Sequence, residues 1–323
     1  MANILITHGV PMEGFARLAR QNLRQPPKGE SFSRDDMLSM LSDFDAVVAC
    51  GAMDRTMMER ATRAKLVVSY GAGYDSIDVA AATALGIPVA HVPDTVTEST
   101  AELAMAHLLA VTRRVGELDR RLREADSTRD LFTMGQSMGV LLDGMTLGVV
   151  GMGRIGARVA EFGRFLGMRV VYHSRGIKPF SVAGNARRLP LAELLRQSDV
   201  VSLHCPLTPD TYHILGREQL ALMRPTAFLI NTSRGKLTDE PALIEALETG
   251  RLAGAGLDVF ETEPEVSARL RKLPNVTLTP HIGSNIPGVR RRMAEECAQR
   301  VLDALAGTRP ANLLNPKVWP RRA

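Results

Sequence analysis

Aromatic residues make up only 4% of the 323 residues, and there is a single tryptophan. A surface that stacks nucleobases needs more. Cysteine is scarce too. Cys50, Cys205 and Cys297 are an odd number at wide spacing, which argues against a disulfide framework and suits a reducing compartment, so a cytoplasmic location is expected. Long hydrophobic runs are missing: apolar-rich stretches such as 104–111 fall far short of the ~20 residues a membrane span needs, and no membrane association is expected. Met1 to Ile6 runs straight into a strand-like segment with no basic leader or cleavage signal, so secretion is not expected. Neither sign of charge dominates. Forty Lys and Arg against 35 Asp and Glu leave +5, with a pI near 9.4. That excess can attract small anions but is too diffuse for a nucleic-acid partner. The basic clusters Arg120-Arg121 and Arg290-Arg291-Arg292 fall in helix-like segments and read as solvated faces or subunit contacts.

What is present is an ordinary globular composition, 45% apolar and 23% charged, long enough for about two domains. Short apolar runs alternate with helical patterns. Residues 3–7, 45–49, 66–69 and 88–90 read as strands, and 12–23, 34–41, 54–61 and 78–85 read as helices between them. Gln25-Pro26-Pro27-Lys28-Gly29 reads as a surface loop. The alternation predicts parallel sheets covered by helices on both faces. Near residue 95 the pattern changes. Ser99 and Glu102 have the spacing of a capping box, and one long helix is predicted over 99–123. An irregular stretch to Gly144 precedes a second series of strands at 147–151, 169–173, 200–203, 227–231, 254–259 and 276–279. A last helix is predicted over 288–306. One domain boundary falls near residue 98; periodicity alone does not place the other.

Residues 147–156 read as a strand followed by G-x-G-x-x-G, with Gly151, Gly153, Arg154, Ile155 and Gly156 in the turn. A helix and a second strand ending at His173 follow. Such glycines permit a tight turn, close approach of backbone to a pyrophosphate, and tight helix–strand packing. The helix N-terminus adds N–H donors and partial positive charge. The full strand–turn–helix–strand context favours dinucleotide binding over an incidental glycine-rich turn.

Three further segments are Asn231-Thr232-Ser233-Arg234-Gly235, Leu257-Asp258-Val259-Phe260-Glu261-Thr262-Glu263-Pro264 and Pro280-His281-Ile282-Gly283-Ser284. With the glycine turn and Tyr70-Gly71-Ala72-Gly73-Tyr74-Asp75, the chain resembles the D-isomer-specific 2-hydroxyacid dehydrogenases over essentially its whole length. The likeness is greatest to the glyoxylate and hydroxypyruvate reductase branch. The resemblance implies an α/β protein of two open parallel-sheet domains. A Rossmann-type NAD(P)-binding domain, 99–286, would be inserted into a flavodoxin-like substrate-binding domain, 1–98 and 287–323. The implied reaction is reduction of a small 2-oxo acid to the D-2-hydroxy acid by hydride transfer.

Arg234 follows an apolar strand, so it emerges at a carboxyl end, where a guanidinium can hold a 2-oxo acid through paired donors and polarise its carbonyl. His281 would exchange a proton with the substrate oxygen, a task suited to a side chain whose unperturbed pKa is about 6.5. The other six histidines are read as structural. By resemblance, Glu263 would orient the imidazole and stabilise its protonated form, and Asp258 would bind the nicotinamide carboxamide. Cys205, Pro206, Thr211, Thr232 and Gly283 match cofactor contacts, with Cys205 a packed neighbour and not a nucleophile. Ala72 and Gly73 would offer backbone N–H groups to the substrate carboxylate, alongside Arg234 and His281.

In this fold an acidic residue at the end of the second strand normally binds the adenosine ribose. Here Ser174 and Arg175 stand at that position, Lys178 follows, and 170–180 contains no carboxylate. NADP(H) is therefore expected to be preferred, with NAD(H) also accepted. A homodimer is expected, with 101–142 as the arm. No metal site is expected: C-x-x-C and H-E-x-x-H are absent, and no serine-hydrolase elbow is expected. The alternatives are a cofactor-sensing, corepressor-like binding protein of the same fold, or a reductase of 2-ketogluconate or an arylpyruvate. Relatives often carry tryptophan in the irregular stretch before the cofactor-domain strands. This chain has Phe132, Met134 and Met138 there and its only tryptophan at Trp319.

Overall fold

The computed structural model describes residues 1–320. The chain divides into two compact units, Met1–Val96 with the segment from Ser284 onward, and Thr97–Gly283.

The first unit holds five parallel strands: β1 (Asn3–Ile6), β2 (Asn22–Arg24), β3 (Ala46–Ala49), β4 (Leu66–Ser69) and β5 (Val89–Ala90), in the order β2-β1-β3-β4-β5. This is the flavodoxin-like order. Ile4 and Ile6 face one apolar cluster and Leu5 the opposite one, so both faces are covered, as near-continuous apolar strands require. Helix Pro287–Leu305 closes one face. There Gly14 allows close contact, because a Cβ would lie 2.4 Å from that of Ala294.

The second unit holds seven parallel strands: β6 (Thr146–Val150), β7 (Arg169–His173), β8 (Arg187–Arg188), β9 (Val200–Leu203), β10 (Phe228–Asn231), β11 (Gly254–Leu257) and β12 (Val276–Leu278). Their order is β12-β11-β10-β9-β6-β7-β8. Outward from β6, that is the Rossmann arrangement with one strand added. Helix Thr97–Thr112 lies flat on β11 because Gly254 and Gly256, on one face of the strand, carry no Cβ. Such atoms would lie 2.8 Å from Val111 Cγ2 and 2.6 Å from His107 Cβ.

Three expectations need correction. Residues 12–23 form a 3-10 helix, Met12–Leu18, and then edge strand β2, which is begun by Asn22 N donating to Ala2 O at 3.0 Å. The predicted 99–123 helix is two helices, Thr97–Thr112 and Val115–Glu124, broken at Arg114 with a left-handed φ of 56°. At the break the Thr112 carbonyl accepts from Val140 N at 2.9 Å, and Arg114 grips Glu117 through two bonds of 2.8 and 2.7 Å. Helix Thr97–Thr112 also begins ahead of Ser99, which lies in its first turn and is not its cap.

Candidate active site

Arg234, Glu263 and His281 lie on loops that leave the carboxyl ends of β10, β11 and β12. His281 Nδ1 hydrogen-bonds to Glu263 Oε2 at 2.8 Å, and Glu263 Oε1 accepts from the Phe260 N–H at 2.9 Å. The two side chains keep 47% and 35% of their exposure, enough for a ligand to reach them. Partial burial works to raise the Glu263 pKa. The hydrogen bonds from His281 and Phe260, with the charges of His281 and Arg234, outweigh it and hold the carboxyl below its ordinary value.

The Arg234 loop is fixed from within. Asn231 Nδ2 donates to Arg234 O at 2.8 Å, Ser233 N donates to Asn231 Oδ1 at 3.0 Å, and Ser233 Oγ donates to Cys205 O at 2.7 Å. Gly235 is obligatory, since a Cβ there would lie 1.9 Å from the Phe260 carbonyl carbon. The backbone after Arg234 is thus packed directly on the loop that carries Glu263.

Asp258 is fully buried and organises the His281 loop. Its carbonyl accepts the His281 N–H at 2.8 Å, Oδ1 accepts from Ile282 N at 2.8 Å and Thr279 Oγ1 at 2.6 Å, and Oδ2 accepts from Gly283 N at 3.0 Å. Three consecutive amides thus converge on one residue, a nest that accommodates the left-handed φ of 53° at His281. Asp258 therefore has a structural task that its residue type alone did not disclose.

The glycine turn has the shape a dinucleotide needs. Gly151 adopts φ 100°, and a Cβ there would strike Cys205 N at 2.4 Å. Gly156 packs helix Arg154–Phe165 on the turn, where a Cβ would meet Gly151 O at 2.1 Å. In front of Gly153, at the helix N-terminus, a Cβ would meet nothing within 4 Å, which leaves room for a phosphate. The Thr232 hydroxyl is buried without a hydrogen-bond partner among the described residues. Thr211 Oγ1 donates to Pro206 O at 2.7 Å and fixes that turn. Burial pushes the Cys205 thiol up to about 11, so it is no nucleophile at neutral pH. Ser174 Oγ donates to Gly176 O at 2.6 Å, while Arg175 is exposed and Lys178 half-buried. Arg188, on the short edge strand β8 that sequence patterning overlooked, donates from Nε to Ser174 O at 3.0 Å and braces this loop.

In the other unit, the carbonyls of Gly71, Ala72 and Gly73 are tied back by Val92 N at 3.0 Å, His91 Nδ1 at 2.9 Å and Ser69 Oγ at 2.7 Å. The Ala72 and Gly73 amides make no hydrogen bond among the described residues. Gly135-Gln136-Ser137-Met138-Gly139 has the letters of a serine-hydrolase elbow, contrary to expectation. It lies in irregular chain and not between a strand and a helix, and no histidine bonds Ser137 among the described residues.

A glycine turn opening a helix from an inner strand of a Rossmann sheet, with a histidine–glutamate pair and an arginine on neighbouring strand ends, defines a dinucleotide-dependent α/β oxidoreductase. Residues 105–283 match the NAD binding domain of the D-isomer specific 2-hydroxyacid dehydrogenases, and the chain belongs to that family. It is 40% identical to the glyoxylate reductase of Thermococcus litoralis, over 98% of this chain and 97% of that one. The structure of a glyoxylate reductase from Paecilomyes thermophila superposes with a TM-score of 0.89 at 30% identity, covering 98% and 99% of the two chains. The NADPH-dependent glyoxylate/hydroxypyruvate reductase of Sinorhizobium meliloti, solved with NADP and malonate, gives 0.88 at 28% identity, covering 100% and 99%.

Proposed function

We propose that this chain reduces a small 2-oxo acid of the glyoxylate or hydroxypyruvate type to the D-2-hydroxy acid, with NADPH preferred. The observation that carries the reading is the 2.8 Å His281–Glu263 hydrogen bond on a carboxyl that also feels the Arg234 charge. NADPH, when bound, supplies the hydride. Arg234 binds the substrate carboxylate and polarises the reacting carbonyl. His281 Nδ1 is committed to Glu263, so the proton given to the substrate oxygen leaves from Nε2. Glu263 holds the ring in that orientation and stabilises the cation that donates.

The residues that would hold the cofactor are Gly151, Gly153, Arg154, Ile155 and Gly156 at the pyrophosphate and Thr232, Asp258, Gly283, Cys205, Pro206 and Thr211 toward the nicotinamide. Arg175, Lys178 and Ser174 take the adenosine side, where no carboxylate repels a 2′-phosphate. In this reading the unit Thr97–Gly283 is the cofactor domain and the remainder binds substrate.

We read the assembly as a homodimer. Phe132, Met134, Met138 and Leu141 are 73 to 98% exposed, an apolar surface that a partner copy would cover. A micromolar sample with monomeric mass in light scattering would count against it. The unpaired cysteines suit a cytoplasmic setting. The activity is tested by following nicotinamide absorbance across a panel of 2-oxo acids with each cofactor. Fastest turnover with glyoxylate or hydroxypyruvate and NADPH is expected; no turnover with any 2-oxo acid defeats the proposal.

A further inference from the structure

His107 lies mid-way along helix Thr97–Thr112, only 2% exposed. Its Nε2 is 2.8 Å from Thr279 Oγ1, and Thr279 Oγ1 donates to Asp258 Oδ1 at 2.6 Å. Because the threonine proton is spent on the carboxylate, the hydroxyl faces His107 with a lone pair. His107 must then carry its hydrogen on Nε2, and Nδ1 is a bare acceptor with no partner among the described residues. Burial favours this neutral form, although the Asp258 charge opposes it. Asp258 is the residue on which the amides of His281, Ile282 and Gly283 converge. A hydrogen-bonded line therefore runs from the helix through Thr279 and Asp258 to the backbone of His281.

We propose that His107 is a positioning residue for His281, fixing the Thr279 hydroxyl so that Asp258 holds the left-handed His281 turn in the geometry for proton transfer. This rests on His281 being the acid–base residue. The helix cannot drift to compensate. Gly256 brings β11 so close that a Cβ on it would lie 2.6 Å from His107 Cβ. An apolar residue at 107 keeps the packing but leaves Thr279 free to rotate its hydroxyl away from Asp258, which loosens the loop where tolerance is smallest. Glutamine keeps an N–H donor at comparable reach.

The test compares His107→Leu and His107→Gln with wild type and with His281→Asn, reading kcat, the KM for cofactor and the isotope effect with cofactor deuterated at the transferred position. His107→Leu is expected to lower kcat about tenfold, the worth of one well-placed hydrogen bond. The isotope effect should rise, while His107→Gln restores most of the turnover. A purely structural role predicts equal Tm losses with no selective fall in kcat and no rescue, and that result overturns the inference. Wild-type kcat in His107→Leu also overturns it, provided His281→Asn is crippled. If His281→Asn remains active, the reading of the site itself has failed instead.

Discussion

Replacing Gly235 with alanine should separate the geometry of the site from the stability of the fold. A Cβ there would lie 1.9 Å from the Phe260 carbonyl carbon, 2.0 Å from its oxygen and 2.5 Å from Glu261 N. These three nearest atoms are all backbone, so none can be relieved by a side chain swinging aside. Ordinary contact begins near 3.4 Å, and the 234–235 and 260–261 segments must therefore part by about 1.5 Å. Overpacking of this sort costs about 1–3 kcal/mol, which in a unit of this size lowers Tm by a few degrees to about 10 °C. The effect on chemistry should be larger. The displaced loop carries Glu263, whose Oε1 is held by the Phe260 N–H, and a shift near 1 Å can cost about 10²-fold in rate. The expected result is a folded protein whose kcat falls about a hundredfold while the KM for cofactor changes little. Unchanged Tm and kcat within twofold of wild type would refute the claim that this contact sets the distance between Arg234 and Glu263.

Acid should erase the stabilising effect of Glu263. Its carboxyl is held below 4.5 in the folded chain, so its pairing stabilises fully above that value and is lost as pH falls through the depressed one. The unfolding free-energy gap between wild type and Glu263→Gln should thus be constant near neutral pH and close below about pH 4.5; a gap that widens in acid contradicts the sign. Arg175→Ala should raise the KM for NADPH much more than that for NADH, and equal effects would remove Arg175 from the 2′-phosphate site.

The inner strands were legible because short runs with three apolar residues apiece, set between helical patterns, leave few alternatives. β4, β7 and β9 fall on the expected residues. The edge strands were not. β2 reads Asn22-Leu23-Arg24 and β8 is two exposed arginines, and neither carries an apolar signal because neither is covered on both sides. The helix break at Arg114 was equally hidden. It is enforced by Val140 docking on the Thr112 carbonyl, a long-range contact with no local trace. In the site, the glycine turn stood out by its strand–turn–helix context, and the Arg234, Glu263 and His281 segments by their resemblance to a family pattern. The part played by Asp258 did not, since it depends on three amides and a hydroxyl more than twenty residues downstream. His107 looked like any histidine on an apolar helix, its partner Thr279 being 172 positions away.

His281, oriented by Glu263, has the role of proton donor in the proposed reduction of a 2-oxo acid. That role is tested most directly by the kcat of His281→Ala with the best 2-oxo acid and NADPH, in a sample shown to be folded with cofactor bound. A loss of roughly 10²–10⁴-fold is expected, the range for removing a positioned acid–base group. Turnover close to that of wild type would contradict it.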